Sequence, residues 1–188
     1  WQYFQQQVYP LLTPFVIDSR HPFPHLQPRR LNFLVVLQSG MTALRAKEHY
    51  GLLQIPARLP RLIQVQPCMP LPAKAKSAKP IRCLLWREEI IRQFLPVLFS
   101  GSRIQAVYQF RLLRAPRDNS LATLIAAGTG PVSAQGPITR LDIEKAMPPH
   151  LRQWLIQRLQ IHTDQVLACA PPLGLADLCE LADYLTPL

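Results

Sequence analysis

The twelve residues from Arg103 to Arg114 alternate more clearly than any other stretch of the chain. Ile104, Ala106, Tyr108, Phe110 and Leu112 fall on one parity. Arg103, Gln105, Gln109 and Arg111 fall on the other, with Val107 and Leu113 as exceptions. Successive side chains of a strand point to opposite faces, so this pattern predicts a strand with one face on a core and one largely in water. Pro116 to Ser120 carries turn chemistry, and Leu121 to Ala127 is expected to return as the second strand of a hairpin. The run Leu31 to Leu37, broken only by Asn32, fits a strand buried on both faces. Leu62 to Gln66 and Gln165 to Ala170 read as further short strands.

Helices are expected between these strands. Met41 to Tyr50 reads as one, with Gly51 as its stop. Arg87 to Phe99 reads as another, with Trp86, Ile90, Phe94 and Leu98 on one stripe and Ile91 and Leu95 widening it. Pro96 kinks or ends that helix, and Glu88 and Glu89 lie in its first turn, where the helix dipole favours negative charge. Thr139 and Asp142 have spacing like a capping box, which predicts a helix from Arg140 to Met147. Leu151 to Ile161 follows as the next. Twenty prolines keep all these elements short. The expected fold is α+β: a mainly antiparallel sheet with a central hairpin, packed against several short helices.

The 188 residues, 48% of them hydrophobic, suit a single domain over residues 1–188. Within it, residues 1–17 read as a short helix that packs on the domain or docks on a partner. Residues 71–80 read as an exposed basic loop. Residues 174–188 read as an acidic amphipathic helix. No apolar run has the length of a membrane span, and no transmembrane segment is expected. The first residue is Trp rather than Met, so the sequence reads as trimmed, and a targeting segment ahead of it would be invisible.

The formal charge of +10 is unevenly placed. Residues 1–117 hold 17 Lys and Arg against 4 acids, a net +13, whereas residues 118–188 hold 4 against 7, a net −3. A basic body of this kind seeks an anionic partner. The candidate contacts for nucleic acid or another anion are Arg29, Arg30, Lys74, Lys76, Lys79, Arg82, Arg103, Arg111, Arg114 and Arg117. Cys68, Cys83, Cys169 and Cys179 form no CxxC pair, which fits a reducing, intracellular compartment, the cytoplasm. His21 and His25 are four apart, but Pro22 and Pro24 preclude a regular helix, and no metal site or cofactor is expected.

No GxSxG, HExxH or P-loop pattern is present. The Pro148-Pro149 break before the helix at 151 argues against a DNA-reading helix-turn-helix. No catalytic residue is therefore assigned. The expected function is a non-enzymatic basic binding module, an adaptor or subunit of a larger, nucleoprotein assembly. Its partners would be nucleic acid or an acidic protein surface, together with other protein subunits.

Leu34 to Tyr50, holding Ser39-Gly40-Met41-Thr42, resembles the Ser-Met-Thr region of chorismate lyases and related ligand-sensing domains. The region 103–127 and Ile138-Thr139-Arg140 to Glu144 come in a compatible order. The resemblance implies an alternative: a small-molecule-binding domain without full lyase activity. Gly40 interrupts the triplet, the Leu-Gly-x-x-Leu segment is missing, and the expected Glu is replaced within Leu167 to Ala170.

Overall fold

In the computed structural model the described residues are 1–17, 23–39, 47–65, 83–116 and 136–175. Six strands make one sheet: β1 (Pro14–Ile17), β2 (Leu31–Ser39), β3 (Lys47–Gln54), β6 (Arg103–Arg114), β7 (Ile138–Glu144) and β8 (Val166–Cys169). Their order is β1-β3-β2-β6-β7-β8. Every neighbouring pair is antiparallel except β7 and β8, which run parallel. β4 (Leu62–Val65) and β5 (Cys83–Trp86) form a separate antiparallel pair.

The apolar run of β2 lies inside the sheet and is buried on both faces, as its composition predicts. Leu31, Phe33, Val35 and Leu37 enter one core with Ile91 and Leu95 of helix α1 (Arg87–Leu98) and with Phe4 and Val8. Leu34 and Val36 enter the other core with Leu151 and Leu155 of helix α2 (Pro149–Leu159). The sheet therefore carries one helix against each face. Phe4 and Val8 belong to a π-helical turn, Phe4–Val8, which continues as a 3-10 turn, Tyr9–Leu11, before β1 begins.

The structure is thus mixed α/β, mostly strands with a few short helices. Two elements differ from expectation. Lys47 to Tyr50 belong to β3, not to a helix. Gly51 lies within that strand with the Phe99 ring against it, which uses the glycine for close approach rather than for termination. Arg140 to Glu144 belong to β7, not to a helix. Leu141 and Ile143 are buried and pair across to Leu112 and Phe110, so alternation outweighed the capping spacing. β6 is flanked by β2 and β7. The return strand expected at 121–127 lies outside the described residues, as do the expected basic loop 71–80 and residues 176–188.

Candidate functional site: a cationic sheet end

Asn32, the polar break in the β2 run, shapes one end of the sheet. It is fully buried, its amide donates to the Arg30 carbonyl at 2.9 Å, and its Oδ1 accepts from Gln54 at 3.1 Å. These bonds fix the chain at Arg30 against the end of β3. The backbone N–H of Arg29, at a left-handed φ of 62°, donates to the Leu112 carbonyl at 2.8 Å and ties the same turn to the end of β6. Arg29, Arg30 and Arg114 are brought together at this end by those constraints.

Two open hollows flank them. One, of about 520 Å³, is lined by Arg114 at the end of β6, Arg158 in the last turn of α2, His25, Gln160 and Gln165. The other, of about 680 Å³, is lined by Arg30, Arg58, Gln54 and, again, His25. No Asp or Glu lines either hollow among the described residues. Arg114 donates to the Gly136 carbonyl at 3.0 Å, and burial presses its pKa below the usual arginine value. A guanidinium has five donors and stays charged in proteins, so such an end favours oxyanions.

Of the sequence candidates, Arg29, Arg30, Arg111 and Arg114 fall at this end of the sheet. Arg103 is exposed at the opposite end of β6, across from Gln38. Lys74, Lys76, Lys79, Arg82 and Arg117 lie outside the described residues. Arg58, Arg158 and His25 were not expected here, because each stands alone in sequence and only the tertiary fold groups them. Arg111 differs from the rest. It is 7% exposed and sits on the α1 face of the sheet, directly across from Asp142.

Other arginines are consumed by structure. Arg61 bonds Glu88 at 3.0 Å and donates to the carbonyls of Leu173 and Gly174. Arg87 donates to the Leu59 carbonyl. Charge count alone does not separate such internal fasteners from surface cations. Cys83 and Cys169 are half-buried free thiols. Among the described residues no helix is long and apolar enough to cross a membrane.

The geometry defines a class: an α+β domain with two arginine-bearing hollows at one sheet end, neither lined by an Asp or Glu among the described residues. Residues 1–122 match the family model described as the polyphosphate kinase middle domain. The chain belongs to that family. It is 31% identical to polyphosphate kinase 1 of Chlorobaculum tepidum over 98% of its own length and 26% of the relative's. It is likewise 31% identical to the polyphosphate kinase of Thermosynechococcus vestitus over 94% of its length and 24% of the relative's. The crystal structure of polyphosphate kinase from Porphyromonas gingivalis shares the fold, with a TM-score of 0.70 at 18% identity over 95% of this chain and 24% of that one. The chain thus spans about a quarter of the length of the curated relatives it matches.

Membership overturns the expected nucleic-acid-binding, non-enzymatic adaptor, and the chorismate-lyase-like alternative with it: the family is named for a phosphotransferase. The physical reason is simple. Positive charge attracts phosphate oxygens alike whether they belong to nucleic acid or to another phosphate polymer. Missing catalytic motifs are also weak evidence in a chain that matches only a quarter of its enzyme relatives.

Proposed function

We propose that the chain acts as the anion-holding middle domain of a polyphosphate kinase, with the phosphate polymer lying along the cationic sheet end. Arg30, Arg58, Arg114 and Arg158 hold phosphate oxygens by charge and orient the polymer, and Arg29 adds to the field. Lys74, Lys76, Lys79, Arg82 and Arg117 extend it in the same proposal. In the same proposal the domain covers residues 1–188 and works in an intracellular, reducing setting. The observation that carries this reading is the absence of any carboxylate lining the two arginine-bearing hollows, among the described residues. Arginine suits the role because its planar fork meets phosphate oxygens two at a time.

Titration of the chain with end-labelled long-chain polyphosphate tests the proposal, in parallel with single-stranded RNA of equal charge. Saturable polyphosphate binding that weakens steeply with salt is expected, since each phosphate contact releases counterions. No binding at low salt, or tighter binding of the RNA, overturns it.

A further inference from the structure

Arg111 is a buried cation without a partner among the described residues. Its side chain makes no hydrogen bond and no ion pair among the described residues, and its Nε is wholly buried and unbonded. Asp142 stands directly across the β6–β7 ladder, where it would be the natural counter-charge. Instead its carboxylate accepts from Arg140 Nε at 2.5 Å. A guanidinium keeps its charge on burial, so a largely buried one with no counter-ion favours an anion.

The space for one is present. Arg111, Arg140, Asp142, Cys169 and Gly174 line a cleft of about 340 Å³ on the α1 face. That volume is at the low end of small-ligand pockets and has ample room for a small oxyanion. Two arginines against one carboxylate leave the cleft positive. Gly174, at φ 70°, lies against the Arg111 guanidinium, where a Cβ would collide with Nη1. The Arg61 guanidinium donates to the Gly174 carbonyl. The wall of the cleft is therefore built to approach Arg111 closely.

We propose that this cleft binds one small oxyanion of the orthophosphate class, seated on the Arg111 guanidinium and flanked by Arg140. It is separate from the open polymer-holding surface and does not rest on the polyphosphate reading. The carboxylates of Asp177, Glu180 and Asp183 follow directly in sequence and are the competing source of negative charge.

Orthophosphate is the probe, with thermal shift and 31P line broadening as readouts on the whole chain. The wild-type chain is expected to gain stability with phosphate, as any ligand selective for the folded state requires. Arg111→Met is expected to lose that response by about tenfold or more in affinity, while melting no lower than wild type without phosphate. Arg140→Met, at a half-exposed position, gives an independent arm: it frees Asp142 to turn to Arg111, so the phosphate response should vanish too. Arg103→Gln, exposed at the opposite end of β6, should leave it intact. A wild-type chain that ignores phosphate, or an Arg111→Met chain that responds like wild type, overturns the proposal. So does a response that appears only after Asp177, Glu180 and Asp183 are replaced by their amides, which would make the chain's own carboxylates the partners of Arg111.

Discussion

Arg61 and Glu88 form an ion pair at 3.0 Å with only 1% and 2% of their side chains exposed. The pair joins the entrance of β4 to the first turn of α1, and Arg61 also packs over the Trp86 ring, 5.2 Å from its centroid. Glu88 is therefore a buried structural counter-ion in the first turn of α1. Removing one member of a buried pair leaves the other uncompensated, so Glu88→Ala should destabilise the chain by about 3–5 kcal/mol. Glu88→Gln keeps an acceptor for Arg61 and should lose less. Urea midpoints, compared at unchanged slope, check both values.

Gly51 and Phe99 give a second expectation. A Cβ on Gly51 would come within 2.7 Å of the Phe99 ring and 3.2 Å of Leu37. Gly51→Ala should therefore cost about 1–3 kcal/mol through overpacking. Adding Phe99→Leu should recover part of that loss, giving a coupling between the two sites in a double-mutant cycle. Purely additive losses would show that the ring simply moves aside.

Tyr50 supplies a pH dependence. Burial raises the pKa of its phenol above the ordinary value of 10.0, and the Glu48 charge and the hydrogen bond to Glu48 raise it further. The folded chain thus holds this proton to higher pH than the unfolded chain does. The associated stability is fully present below the unfolded value of about 10 and is lost as pH rises through the folded one. Tyr50→Phe should flatten this alkaline loss relative to wild type. Thermal midpoints between about pH 8 and about pH 11 measure it, and parallel curves for the two proteins would contradict it.

The strands that were legible in sequence are those whose periodicity has a single cause. Leu31 to Leu37 is apolar throughout because both faces of β2 are covered, and Arg87 to Leu98 shows a clear helical stripe because α1 covers one face. β3 is hidden in the sequence because Gly51, a contact point for Phe99, looks there like a helix stop. β7 is masked in the sequence because Thr139 and Asp142 mimic a cap, although Leu141 and Ile143 already alternate with Arg140 and Asp142. The site was half legible. Arg30 and Arg114 stood out through the charge imbalance, but Arg58 and Arg158 join them only through the meeting of strand ends with the end of α2. Sequence likewise gives no sign that Arg61 is internal while Arg114 lines an open hollow.

The polarity of the sheet is the central claim, and polyphosphate affinity of charge-neutralised variants from its two ends tests it most directly. Arg114→Gln combined with Arg158→Gln should weaken binding of long-chain polyphosphate by about tenfold or more at fixed moderate salt and lower the salt slope. Arg103→Gln, at the far end of β6, should leave both unchanged. Equal losses from the two ends, or a loss confined to Arg103→Gln, would contradict the account.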